Sequence, residues 1–290
     1  MKNIIILTGS EVRHTFIRKF IALSDDIHVI HSYCEGLEKS LQTIVTNQPD
    51  ITLRTNHLVN REQSEKDFFS LFVDSVPDRS RPTFLPKGAI NSPPYTEAIV
   101  ESKPDLLIAY GCSLIREPLL SAFSGRFLNV HLGLSPYYRG SGTNYWALVN
   151  NEPEYVGTTF MYIDAGIDTG QIIHQIRARV VWRDTPSQIC NRLIVDTAYA
   201  YREIIRKFDA LERMPPLPEP AKVRVYKQKD FSEESVNNLY DNFSNGLVER
   251  YLAHKSERCS EVPIIRNPAM SVYCKPACQL PNIRVIQRRA

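Results

Sequence analysis

Asn129 and His131 stand two residues apart at the end of an apolar run, and Asp168 follows inside a glycine-rich turn, Asp-Ala-Gly-Ile-Asp-Thr-Gly, at residues 164–170. An amide, an imidazole and a carboxylate from two separate loops are the parts needed to pass an acyl group to an amine. When an amine attacks a carbonyl carbon, the tetrahedral intermediate carries a developing oxyanion that preorganised donors stabilise. The Asn129 amide and a His131 N–H both qualify as donors. The attacking nitrogen must lose a proton and the leaving nitrogen must gain one. A carboxylate near an imidazole moves such protons directly or through a water, and it fixes the ring tautomer. This chemistry requires neither a covalent enzyme intermediate nor a metal.

Such groups need a scaffold, and the apolar patterning supplies one. Residues 105–111 read as a short buried strand ending at Gly111, and residues 127–131 as the next. On an extended chain, residues two apart point to the same side, and in a parallel α/β sheet ligands sit outside the carboxyl ends of the strands. Residues 157–163 form a third run that feeds the turn carrying Asp164 and Asp168, and residues 171–180 form a fourth with partial alternation.

Upstream, a strand ending at Gly9, helical spacing over 13–23 (Phe16, Ile17, Phe20, Ile21) and a strand over 27–33 give a β-α-β opening. Gly9 stands alone, so there is no GxGxxG dinucleotide fingerprint. Residues 35–60 are polar and unassigned, 64–76 read as a helix, 78–94 as a loop and 95–102 as a short helix. Thr185 opens a long helix with Pro186 in its first turn. Residues 214–220 are a Pro-rich linker. A strand over 222–227, one helix running from Ser232 past Leu252 and an irregular tail complete the chain.

Composition agrees with a globular enzyme. A chain of 290 residues holds one large domain, or one with a small companion. With 23% charged and 43% apolar residues its usage is ordinary, and a net charge of +3 is too small to argue for nucleic acid by itself. No apolar run approaches a transmembrane span. The four-residue apolar stretch at the N-terminus reads as a strand rather than a secretory signal. Six scattered Cys without an export signal imply reduced thiols and a cytoplasmic protein. Cys259, Cys274, Cys278 and His254 match no trusted zinc spacing, so no metal site is expected.

From about residue 104 to 176 the chain resembles the folate-dependent formyltransferases, the family of glycinamide-ribonucleotide and methionyl-tRNA formyltransferases, and is closest to the sugar N-formyltransferases. The family's Asn-x-His and its Asp fall on Asn129, His131 and Asp168, and Arg139-Gly140 matches the Arg-Gly of the loop after the His. The resemblance implies an α/β, Rossmann-like fold with a mostly parallel central sheet and a small C-terminal α+β extension. It also implies 10-formyltetrahydrofolate as co-substrate. The pterin would be bordered by Tyr110, Gly111, Cys112, Ser113, Leu114 and Ile115, and by Asp164, Gly166 and Ile167 of the turn. Domain boundaries are expected at 1–212 for the catalytic part, 213–221 for the linker and 222–290 for the extension.

The acceptor amine is less constrained. About 70 residues follow the linker, which departs from the sizeable C-terminal barrel of the tRNA enzymes, while the glycinamide-ribonucleotide enzymes are usually shorter. The loop 134–140, with Trp146 after it, is similar to N-formyltransferases acting on nucleotide-linked amino sugars, so a small, phosphate-bearing amine acceptor is expected. Its phosphates would want cations, and Arg13, Lys87 and Arg139 are available. Arg13 and His14, at a helix start where the first loop faces the crevice, oppose the helix dipole and hint at an anionic ligand; a solvated helix face is the alternative. Asn144 and Trp146 line an acceptor pocket or, for Trp146, fill a helix core. Residues 87–92 form a lid or acceptor loop.

The rival readings are a methionyl-tRNA or glycinamide-ribonucleotide enzyme, a 10-formyltetrahydrofolate hydrolase and a silent binding module. A hydrolase usually carries an extra N-terminal domain, and this chain begins with the catalytic fold; the intact triad argues against a silent module. Asp230, Glu233, Glu234, Asp241 and Glu249 interleave with basic residues after the linker, which disfavours a nucleic-acid platform. No membrane partner is expected. Leu247 and Val248 either offer a homodimer surface or pack on their own domain.

Overall fold

The computed structural model describes residues 1–38, 43, 51–166, 168–220 and 223–273. Its strands are β1 (Lys2–Gly9), β2 (Ile27–Glu35), β3 (Pro82–Leu85), β4 (Leu106–Tyr110), β5 (Phe127–His131), β6 (Tyr138–Gly140), β7 (Gly157–Tyr162), β8 (Ile172–Arg177) and β9 (Arg224–Tyr226). Its helices are α1 (Val12–Ala22), α2 (Leu53–Ser75), α3 (Pro93–Glu101), α4 (Leu119–Ala122), α5 (Thr143–Val149), α6 (Pro186–Arg206), α7 (Glu233–Ser244), α8 (Leu247–Ala253) and α9 (Lys255–Ser260).

Seven strands form one sheet in the order β3-β2-β1-β4-β5-β7-β8, and β6 pairs with β9 apart from it. The four pairings from β3 to β5 run parallel, whereas β7 is antiparallel to both β5 and β8. The continuous apolar runs of β1 and β4 reflect burial on both faces. Their alternation splits them between two layers. Ile4 and Ile6 face Phe16, Phe20 and Tyr201 of α1 and α6. Ile5 and Leu7 face Ile99, Leu119 and Phe123 on the side of α3 and α4. The α6 start is as expected: the Thr185 hydroxyl accepts from the Gln188 N–H in a capping box, with Pro186 in the first turn.

Four elements differ from the sequence reading. The segment 78–94 contains β3, which pairs with the end of β2. Helix α2 starts at Leu53, capped by Thr52, well before residue 64; its long polar face obscures the periodicity, and only a narrow stripe with Leu58 and Phe69 is fully buried. The C-terminal helix is broken at Gly246, whose φ of +77° belongs to the left-handed region that glycine reaches freely. Leu247 and Val248 therefore turn inward, 1% and 3% exposed, into a second core with Tyr138, Trp146, Leu193, Leu239 and Tyr251. They pack on their own fold and offer no dimer surface. The expected tail is also ordered at its start: Gln175 N–H donates to Ile265 O (2.8 Å), and Met270 is fully buried. Cys274 and Cys278 lie outside the described residues, as does Ile167. No described helix is long and apolar enough to cross a membrane.

Candidate active site

Strand β5 ends at His131, beside antiparallel β7, whose far end leads into the glycine-rich turn. That pairing sets His131 opposite Thr159 and Asn129 opposite Met161, so the turn after Tyr162 folds back over the end of β5. The Asp164 carboxylate organises the turn, accepting from the Gly166 N–H (3.0 Å) and the Thr169 hydroxyl (2.8 Å). Gly170 passes so close to Tyr162 that a Cβ would lie 1.7 Å from its carbonyl oxygen. Asp168 itself has φ +53°, a left-handed conformation that Asp tolerates better than most residues.

This geometry brings the Asp168 carboxylate to 3.2 Å from His131 Nδ1, with the two side chains 14% and 7% exposed. On the other side of the ring, Nε2 donates to the Tyr138 carbonyl at 3.2 Å, and the Thr143 hydroxyl lies 3.4 Å away. A carbonyl only accepts, so Nε2 carries a proton, and Nδ1 is the nitrogen that faces Asp168. Burial holds the His131 pKa below its ordinary value, against the opposing pull of the Asp168 charge and the Tyr138 carbonyl. The loop after His131 is rigidly tied: Thr159 donates to Gly133 O (2.6 Å) and accepts from Ser135 N–H (3.0 Å), and Gln175 donates to Ser135 O (2.7 Å).

Asn129 and Asp168 open into a cleft of about 230 Å³ lined by residues 112–115, 161–164, 166 and 168–170. Of the folate-side residues expected from sequence, Cys112, Ser113, Leu114, Ile115, Asp164 and Gly166 line it. Tyr110 and Gly111 do not: Tyr110 is buried, 3% exposed, and Gly111 is exposed outside the lining. The Asn129 amide makes no hydrogen bond among the described residues, so a donor is left facing the cleft. Burial and the nearby Glu35 charge push the Cys112 thiol up to about 12, which disfavours its thiolate at neutral pH.

The proposed cations fare differently. Arg13 is buried between carboxylates, its guanidinium donating to both Glu65 oxygens (2.9 and 2.8 Å) and to Glu11. Burial opposes its charge, but Glu65 and Glu11 outweigh it and raise the pKa. Glu11 caps α1 in a capping box with His14, so a carboxylate of the chain itself already occupies the helix start. His14 accepts the Glu11 N–H at Nδ1 (3.2 Å) and is packed beside Gly9 and Gly111; burial, and then the charge of Arg13, hold it well below its ordinary pKa. The pair is thus neither an anion site nor a solvated face. Lys87 Nζ lies 3.5 Å from the fully buried Glu35. Arg139 forms no ion pair among the described residues, and its Nε is buried without a partner. Asn144 clamps Gly157, accepting its N–H (2.9 Å) and donating to its carbonyl (3.0 Å). Trp146 is buried and stacks on Tyr226, with centroids 4.2 Å apart and planes within 5°. Both brace the site rather than open into the cleft.

Three contributors were not singled out from sequence: Thr143 and the Tyr138 carbonyl at the imidazole, and Glu35. The Glu35 carboxylate accepts from Ser113 N–H (2.5 Å) and Gly88 N–H (2.8 Å), tying the cleft wall to the 87–91 loop. A charged residue at the carboxyl end of a parallel strand was the available signal.

The sheet is doubly wound, switches from parallel to antiparallel at β5, and carries the Asn-His-Asp constellation at that switch. The sequence profile of the formyl transferases matches residues 38–205, more than half the chain, and the chain belongs to that family. A methionyl-tRNA formyltransferase of Desulforamulus reducens is 35% identical over 134 residues, which cover 46% of this chain and 41% of that protein. One from Acetivibrio thermocellus is 34% identical over 135 residues, covering 45% and 43%. The aligned region thus spans less than half the length of these curated relatives. Among solved structures, a sugar N-formyltransferase from a Shewanella species superposes with a TM-score of 0.53 at 18% identity, covering 80% of this chain and 78% of that one. A phosphoribosylglycinamide formyltransferase from Anaplasma phagocytophilum gives 0.50 at 15% identity, covering 72% and 87%. These likenesses establish the fold.

Proposed function

We propose that this chain is an N-formyltransferase that moves the formyl group of 10-formyltetrahydrofolate to the amine of a small substrate, a nucleotide-linked amino sugar. The observation that carries the transfer reading is the free Asn129 amide beside the His131–Asp168 pair at the mouth of one cleft. A narrow cleft edged by backbone groups of a strand end and a glycine turn suits a flat heterocycle with donor and acceptor edges. The bound folate supplies the formyl carbon. Asn129 donates to the oxyanion as it forms. Both His131 nitrogens are engaged, so the ring's task is the proton: Asp168, open to the cleft and beside Nδ1, takes it from the attacking amine and passes it, directly or through a water, to folate N10 as the formyl C–N10 bond breaks and tetrahydrofolate leaves.

The amino-sugar reading is supported by the loop 134–140 and by a post-linker segment that shares its core with Trp146 and Leu193 instead of forming a separate platform. With Arg13 and Lys87 committed to carboxylates, Arg139 is the cation left for an acceptor phosphate. The curated relatives favour a second reading, transfer to methionyl-tRNA. One experiment separates them. Purified protein is incubated with 10-formyltetrahydrofolate and nucleotide-linked 3- or 4-amino sugars, glycinamide ribonucleotide, methionyl-tRNA or no acceptor. Tetrahydrofolate release and formylated product are then followed. Formylation of an amino sugar alone is expected; formylation of the tRNA establishes the second reading, and release without an acceptor marks a hydrolase.

A further inference from the structure

The segment after the linker reaches the catalytic loop through β9. Arg224 N–H donates to Tyr137 O (2.9 Å), and Ser141 N–H donates to Tyr226 O (2.9 Å), so β9 lies parallel along β6 with Tyr138 opposite Arg224 and Gly140 opposite Tyr226. The approach is close enough to dictate residue type. Gly140 has φ +91°, and a Cβ there would lie 2.2 Å from Tyr226 O. Side chains lock the same junction. The Tyr226 ring stacks on Trp146 at 4.2 Å and lies nearly parallel to Tyr138 at 6.2 Å. Asn150 donates to the hydroxyls of both Tyr138 and Tyr226 at 2.9 Å, and Glu152 joins the Tyr138 hydroxyl to Arg224. Tyr138 is therefore held on its backbone, ring and hydroxyl, and its carbonyl is the acceptor for His131 Nε2.

We propose that residues 224–226 are a positioning element for the catalytic imidazole. Pairing with β6, they hold the Tyr138 carbonyl against Nε2 and so fix Nδ1 as the nitrogen that faces Asp168. The catalytic meaning of this assignment rests on the transferase reading, but the tautomer itself does not, so a test that reads both separates the two. The intact chain is labelled with ¹⁵N-histidine, and the His131 ring nitrogens are followed by long-range ¹H–¹⁵N correlation across pH, beside kcat and KM. In the native protein His131 shows a protonated Nε2. In Tyr226→Ala its ring shifts move toward a tautomeric average, and kcat falls about 10- to 100-fold, the scale of a small misplacement at a reacting group, with the folate KM little changed. Tyr226→Phe keeps the stack and restores both readouts. If Tyr226→Ala does not fold, Gly140→Ala separates the strands from the other side and should give the same pair of changes. A folded variant with the native tautomer overturns the proposal, whether or not its activity falls. An altered tautomer in a protein inactive on every acceptor upholds the positioning and rejects only the transferase reading.

Discussion

Two regions at the carboxyl edge of the sheet hold the polar residues that drew attention first, and they are built on opposite plans. At the start of α1, every charge is answered: Arg13 lies between Glu65 and Glu11, and Arg61 reaches both carboxylates at 3.6–3.7 Å. At the end of β5, the Asn129 amide has no partner among the described residues, and Asp168, paired with His131, opens on the cleft. The first region spends its polar groups on holding α1 to α2. The second leaves them free for a substrate. Residue type does not separate the two; the partners do.

The contrast can be broken by substitution. Asn129→Ala removes a donor with no partner among the described residues, so kcat should fall about 10²–10³-fold while the unfolding free energy stays within about 0.5 kcal/mol of native; a destabilised variant with normal turnover would place Asn129 in the first class. Glu65→Ala should do the reverse. Stripping a main partner from a buried guanidinium costs about 3 kcal/mol, measured by urea titration, with kcat near native for the folded fraction. The smallest effect is on pH dependence. Burial lowers the pKa of His14, and holds His57 and His174 near 4. The native state therefore binds fewer protons than the unfolded chain, whose histidines titrate near 6.5. Stability is full above that pH and falls as pH drops through the window toward 4, by at most about 1.4 kcal/mol per unit for each histidine. Urea midpoints between pH 7 and 4.5 test the sign, and a stability that rose on acidification would refute it.

Much of the scaffold was legible because its signals are local. The runs that became β1, β4, β5 and β7 are apolar on both faces, and Asn129, His131 and Asp168 sit at strand ends where the chain must turn. The glycine-rich turn is legible in the sequence, and Asp164 organises it. What was hidden depends on distant partners. Glu65 is 52 residues from Arg13, and Tyr226 is 80 residues from Trp146 by their numbers, so neither neutralisation nor stacking leaves a periodic trace. Helix α2 was truncated because most of it faces solvent. The break at Gly246 was passed over because apolar residues continue at helical spacing on both sides of it.

The return of residues 262–267 along β8 has a consequence for how the molecule meets others of its kind. Gln175 bonds Ile265 through its backbone N–H and accepts the Ile265 N–H at its side chain, while Asn267 donates to His174 Nδ1. The outer border of β8 is thereby covered at Ile173 and Gln175, whose outward backbone groups are met by Asn267 and Ile265 instead of being left to template another strand. At the opposite border stands β3, four residues long and opened by a proline that has no N–H to offer. A sheet with one border partly covered and the other so short offers few free backbone groups for strand addition.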